Sequence, residues 1–246
     1  MTEHLARSLT EYDAVLFDLD GVITPTADVH MRAWQAMFDE LFAAWNIVPP
    51  YTDDDYYAYV DGKKRYDGVA ALLHSRNIEI PWGHPADPPT ADTVCGVGNR
   101  KNGAFLSVLG REGIAAYPGS LALLDSLERA GVPTAIVSSS KNARPVLTAA
   151  GIIDRFPVIV DGLTAETKNL PSKPAPDVFL EGARELGTDP ARTVVVEDAI
   201  AGVRSGIAGG FGLVIGVDRG AGREALAAAG AHLIVTDLFD LVEGTE

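Results

Sequence analysis

Four stretches of this chain carry side chains able to do chemistry, and each lies behind an apolar run or ahead of a helix. After Ala14-Val15-Leu16-Phe17 come Asp18 and Asp20, two carboxylates at i, i+2 with Gly21 beside them. Ala135-Ile136-Val137 runs into Ser138, Ser139, Ser140, Lys141 and Asn142, and Val194-Val195-Val196 runs into Glu197 and Asp198. Between these two, Ser172-Lys173-Pro174-Ala175-Pro176-Asp177 sets a lysine in a loop. Acids at a strand end can hold a cation, and one of them can attack an electrophile. Hydroxyls and backbone N–H groups after a strand can hold phosphate oxygens.

Taken singly, each stretch has a plain structural explanation. Asp before Gly makes turns, Glu197-Asp198 can cap a helix, the serines can form a loop, and Lys173 can be a surface charge. An EF-hand calcium loop is excluded, because Val22 stands where a third oxygen ligand is needed. Together the four suggest a phosphate site. Acids from two strand ends suit Mg²⁺ with substrate phosphate and water. At about 4 Å two unit charges interact by roughly 4 kcal/mol at an effective dielectric of about 20. An aspartate therefore needs a counter-charge such as Lys173 before it can approach a phosphate dianion.

The elements that must position these groups follow from periodicity. Short apolar runs end at 17, 137, 160, 196, 215 and 235, and helical stretches of about 8–12 residues separate the later ones. That alternation predicts a parallel sheet covered on both faces, with ligands at the carboxyl ends of its strands. Ser120 is expected to cap the helix that begins at Pro118-Gly119-Ser120. From Val29, apolar residues at Ala33, Trp34, Met37, Phe38, Leu41 and Phe42 mark an amphipathic helix ended by Pro49-Pro50. Residues 51–111 lack the strand–helix alternation. The expected organisation is a core of 1–24 and 115–246 with a mostly helical insertion, 25–114.

Composition narrows the partners. The 246 residues are 47% hydrophobic with a formal net charge of −14, which speaks against nucleic acid or an anionic membrane as partner. No run approaches about 18 apolar residues, and the one cysteine, Cys95, cannot pair within the chain. The opening MTEHLARSLTEYD lacks a signal-like apolar run. A cytoplasmic monomer acting on a small anionic molecule is expected.

The four motifs in this order, Asp18-Leu19-Asp20-Gly21-Val22, the Ser138 strand end, Lys173 and Glu197-Asp198, resemble the haloacid dehalogenase superfamily of phosphotransferases. Thr24, Thr26-Ala27, His30 and Arg32-Ala33-Trp34 make the sequence more similar to its β-phosphoglucomutase family. The resemblance implies a Rossmann-like core with a helical cap inserted after the first strand. It implies Asp18 as nucleophile, Asp20 as general acid and base, and Ser138 and Lys173 gripping the phosphoryl group. Mg²⁺ would sit on Asp18, the Asp20 carbonyl and Asp198, with Glu197 close by. In the cap it implies a relay of Thr26, His30 and Lys101 acting on Asp20, with Arg65 on a second phosphate. Ser139, Ser140 and Asn142 would complete substrate binding.

The implied reaction interconverts β-glucose 1-phosphate and glucose 6-phosphate through a glucose 1,6-bisphosphate. A sugar-phosphate phosphatase using the same Asp18 is the alternative, and a non-catalytic phosphosugar binder would have lost the acids that stand here. Pro25, Gly68 and Ala199 depart from the family pattern, and the Tyr51–Pro89 stretch is longer than expected. These departures bear on the choice of sugar.

Overall fold

Residues 9–242 are described by a computed structural model. Six strands among them, β1 (Ala14–Phe17), β2 (Thr134–Val137), β3 (Val158–Val160), β4 (Thr193–Glu197), β5 (Leu213–Val217) and β6 (Leu233–Val235), form one parallel sheet. Their order is β3-β2-β1-β4-β5-β6. Every residue of β1, β2, β4 and β5 is buried. That is why these runs are continuously apolar rather than alternating: neither sheet face meets water. The expected Rossmann-like α/β fold is borne out.

The described chain divides into two compact units, one running up to Pro25 and onward from Ile114, the other Thr26–Gly113. The second unit holds α1 (Thr26–Trp45), α2 (Asp53–Asp55), α3 (Arg65–Ser75) and α4 (Val94–Glu112). The Ala33–Phe42 stripe of α1 is buried as its spacing requires. Phe38 stacks on Trp34 and Tyr51, with ring centroids 5.5 and 5.0 Å away, in a cluster closed by Val69, Leu72 and Val97. Buried aromatic pairs of this kind add about 0.5–1.5 kcal/mol beyond area burial. Helix α1 starts at Thr26, a turn earlier than expected, and ends before Asn46, whose φ of 52° breaks it ahead of the prolines.

The sheet unit carries α5 (Pro118–Ala130), α6 (Ala143–Ala149), α7 (Gly162–Thr167), α8 (Asp177–Leu186), α9 (Ile200–Ala208) and α10 (Arg223–Ala229). Helix α8 lies against β1, β2 and β3. It comes so close that a Cβ on Gly182 would meet Val137 at 2.9 Å. Buried Phe179 and Val178 join Leu16, Val137 and Val195 in the core, and truncating Phe179 to alanine would cost about 3–5 kcal/mol.

One capping expectation is corrected. Tyr117 precedes the first helical residue of α5, Pro118, and Ser120 lies inside the first turn. There its Oγ donates to the Val22 carbonyl at 2.6 Å. Proline suits the first helical position because its missing N–H would have no partner there. No helix among the described residues is long and apolar enough to cross a membrane.

Candidate active site

Register puts the chemistry in one place. Phe17 pairs with Ile136 on one side and Val196 on the other, so β2, β1 and β4 end together. Ser138, Asp18 and Glu197 therefore share the carboxyl edge at the centre of the sheet, where open α/β sheets bind ligands. The Asp18 N–H donates to the Val196 carbonyl at 2.9 Å, and the Ser138 N–H donates to that of Val160, also at 2.9 Å.

Lys173 ties this edge together. Its Nζ donates to Asp18 Oδ1 at 2.7 Å, to Glu197 Oε1 at 2.7 Å and to the Val137 carbonyl at 3.1 Å. An ammonium has three N–H donors, and each is taken by a group at the end of a different central strand. The side chain is fully buried and lies 4.6 Å from the Phe179 ring centre. Burial by itself would lower this ammonium. The adjacent Asp18 and Glu197 outweigh it and hold Lys173 above the ordinary lysine range, charged.

Glu197 shares this ammonium. Its Oε1 faces Lys173 and its Oε2 accepts the Ala199 N–H at 2.8 Å, with the carboxylate packed on Gly202. Both oxygens thus have partners inside the protein, and the group stands behind Lys173. Burial raises this carboxyl above its usual range; Lys173 opposes the rise and Asp18 adds to it.

Asp198 goes the other way. Its side chain is packed against the backbone of Gly21, and a Cβ on that glycine would fall 1.8 Å from Oδ2. Asp20 sits half-buried in a tight turn, where the Gly21 N–H donates to Thr24 O at 2.8 Å and the Thr24 N–H to Leu19 O at 3.0 Å. Among the described residues no three His, Cys, Asp or Glu side chains form a metal-holding group. Asp18 and Asp198 follow the neighbouring strands β1 and β4, and Asp198 lies against the turn that carries Asp20. That hard oxygen set fits Mg²⁺, which takes one or two carboxylates and completes its shell with phosphate and water.

Ser138 is buried, and its Oγ accepts the Ser140 N–H at 3.0 Å. Ser140 Oγ in turn accepts the N–H of Asn142, itself buried, at 3.1 Å. Two successive serine turns thus shape the loop, with Ser139 half-buried between them. The Ser140 carbonyl accepts the Gly162 N–H at 3.0 Å, seating the loop on α7.

The remaining candidates belong to the helical unit. Thr26 opens α1, and His30 follows one turn later. Lys101 on α4 is buried and donates to His30 Nδ1. Its ammonium lies 4.9 Å from the Trp34 ring centre and 5.1 Å from that of Phe105, on which His30 stacks at 4.1 Å. Burial, then the charges of Lys101 and Arg65, depress His30 well below the ordinary histidine value, so the ring is neutral. Arg65 donates to Asn102 Oδ1 at 2.6 Å and, more weakly, to Asn99 Oδ1 at 3.5 Å. Asn99 also accepts from Tyr66 OH and donates to the Pro85 and Asp87 carbonyls. Sequence reading missed Asn99 and Asn102 as partners of Arg65, and Trp34 and Phe105 as the aromatic walls around Lys101.

A family model described as haloacid dehalogenase-like hydrolase matches residues 12–210. A curated β-phosphoglucomutase of Mycobacterium bovis is 47% identical over 240 residues, 93% of this chain and 91% of its own. Hexitol phosphatase A of Escherichia coli is 34% identical over 195 residues, covering 79% and 78%. The crystal structure of a β-phosphoglucomutase from Clostridium difficile superposes with a TM-score of 0.75 at 26% identity, covering 94% of this chain and 93% of that one. The chain belongs to the haloacid dehalogenase-like hydrolase family. Within it, this is a β-phosphoglucomutase-like enzyme, and the resemblance read from the four motifs is borne out.

Proposed function

We propose that this enzyme is a Mg²⁺-dependent mutase interconverting β-glucose 1-phosphate and glucose 6-phosphate through glucose 1,6-bisphosphate. The observation that carries the reading is the buried Lys173 ammonium on Asp18 Oδ1. It fixes one carboxylate oxygen, leaves the other to attack phosphorus, and provides the counter-charge that attack on a dianion requires.

As the bond from Asp18 to phosphorus forms, the bond from phosphorus to the sugar oxygen breaks. Asp20 gives its proton to that oxygen. In the other half-reaction Asp20 takes the proton of the free hydroxyl of a sugar monophosphate as that oxygen attacks the phosphorus of the aspartyl phosphate, which releases Asp18 and makes the bisphosphate. Ser138 and Lys173 hold the transferring oxygens. Asp18, Asp198 and the Asp20 carbonyl would hold Mg²⁺, which would offset phosphate charge when bound. Glu197 keeps Lys173 in place.

In this reading residues 25–114 are the cap, with Thr26, His30 and Lys101 governing when Asp20 acts. Arg65 takes the second phosphate, and Ser139, Ser140 and Asn142 bind substrate on the core side. The buried Cys95 suits a reducing, cytoplasmic setting.

A second reading, sugar-phosphate hydrolysis on the same Asp18, is favoured by the likeness to a relative named hexitol phosphatase. One assay separates them: β-glucose 1-phosphate with a trace of glucose 1,6-bisphosphate and Mg²⁺, followed for glucose 6-phosphate and free phosphate. The mutase reading expects glucose 6-phosphate to dominate. Free phosphate as the main product would replace it with the phosphatase, and neither product, without an Asp18-dependent phosphoryl adduct from acetyl phosphate, would sink both.

A further inference from the structure

Three consecutive carbonyls of the turn carrying Asp20 are each taken by a donor from far along the chain. Gly21 O accepts from Arg219 Nε at 3.0 Å, Val22 O from Ser120 Oγ at 2.6 Å, and Ile23 O from the Tyr117 N–H at 2.9 Å. Two of these belong to one cluster, because the Arg219 guanidinium lies 4.1 Å over the Tyr117 ring. Its Nη1 also donates to the Thr236 carbonyl at 2.8 Å, just past β6. Arg219 itself follows β5 at the same edge of the sheet as the acids. The next residue back, Asp218, pins this loop by accepting the Gly220 and Gly222 N–H groups, each at 3.1 Å.

We infer that Arg219 is a positioning residue for Asp20: it grips the Gly21 carbonyl, one residue past the acid–base carboxylate, and so fixes where that carboxylate stands. The inference rests on the acid–base role proposed above for Asp20. Gly21 has a φ of 80°, the conformation this turn adopts, and its N–H donates to the Thr24 carbonyl while Asp198 packs against it. An outside donor on the Gly21 carbonyl holds the peptide plane. Only a planar fork can stack on Tyr117 and at the same time donate in its own plane to two separate carbonyls. A lysine, with a single ammonium, cannot replace it.

The chemistry supplies a test that separates positioning of Asp20 from general damage. Phosphorylation of Asp18 by acetyl phosphate expels acetate, a good leaving group that departs as an anion without a proton. Transfer from a sugar phosphate expels an alkoxide that needs the Asp20 proton. Arg219→Met and Arg219→Lys are compared with wild type and with Asp20→Asn in two measurements, the acetyl phosphate adduct by intact mass with time and turnover of β-glucose 1-phosphate.

The expected result is that both Arg219 variants lose roughly a hundredfold in sugar turnover, as small misplacements of a catalytic group do, while their adduct forms at close to the wild-type rate. Added guanidinium should restore part of the Arg219→Met loss. Parallel loss of both activities, in either variant, overturns the inference, as does unchanged sugar turnover. Should Arg219→Met fail to fold, Arg219→Lys alone decides between these results. An Asp20→Asn variant that keeps sugar turnover would instead sink the role given to Asp20, a failure of the underlying reading.

Discussion

The Asp198 carboxylate stands where a side chain on Gly21 would have to be: a methyl group there would lie 1.8 Å from Oδ2. The absence of a Cβ lets an acid from the end of β4 reach the backbone beside Asp20. Gly21→Ala meets both that clash and the cost of a positive φ, about 1–2 kcal/mol for an L-residue. The expected outcome is a lower urea midpoint together with a weaker Mg²⁺ requirement curve, since Asp198 must move away. Calorimetric Mg²⁺ titration of folded Gly21→Ala checks this; wild-type affinity would show that Asp198 does not hold the ion.

Lys173→Met removes the cation shared by two buried carboxylates, Asp18 and Glu197. Breaking a buried pair from one side costs about 3–5 kcal/mol because the charge left behind has no partner. Adding Glu197→Gln should recover part of that stability in chemical denaturation. It should not restore the phosphoryl adduct, because Asp18 still lacks its counter-charge. Equal stability of the single and double variants would count against the shared role of the ammonium.

His30 gives a pH prediction with a defined sign. In the unfolded chain it takes up a proton near its ordinary value of 6.5, while in the folded protein burial, Lys101 and Arg65 delay protonation to lower pH. Below that value the unfolded state therefore binds more protons, and this residue's contribution makes stability fall as pH falls. Above it the contribution is constant. His30→Gln should flatten the acid side of the stability curve, and ring-nitrogen NMR should find the wild-type imidazole neutral, with Nδ1 the unprotonated nitrogen.

Lys101→Met keeps the bulk between Trp34 and Phe105 but removes the donor to His30. Mutase turnover should fall by roughly a hundredfold, within the range a placed proton-transfer group contributes. Slow release of free phosphate should persist or rise. A variant with normal mutase turnover would remove Lys101 from the control of Asp20.

Much of this was legible because the sheet is buried on both faces. Val15-Leu16-Phe17 and Val194-Val195-Val196 have no polar alternation to obscure them, and the residues just after them belong to the candidate site. Helix α4 was not separately legible, since Gly96, Gly98 and Gly103 within it weaken a helical pattern. In the structure a Cβ on Gly96 would fall 2.3 Å from the Ala91 carbonyl oxygen and one on Gly98 2.7 Å from the Tyr66 ring, so two of them serve close packing. The commitment of Glu197 to Lys173 and Ala199 was also hidden, since an acid at a strand end looks the same whether it faces a metal or a lysine. Arg219 did have a signal. It follows the apolar run Leu213–Val217 at the same sheet edge, but a lone arginine gives no hint that it reaches back to Gly21.

The strand order also has a consequence for synthesis. Strand β1 is central, yet Val15 pairs with Thr134 on one edge and Val194 on the other. At about 5–20 residues per second, a ribosome needs roughly 10–40 s after making β1 to deliver both partners. Until β2 is made this four-residue, wholly apolar strand has both edges open to any other nascent chain, and until β4 is made one of them. The Thr26–Gly113 stretch, made in between with its own apolar cluster, can settle first. Strand β1 is thus made before the other five described strands and is among the last to be sheltered, which makes newly made chains, rather than finished enzyme, the clients that a chaperone would hold.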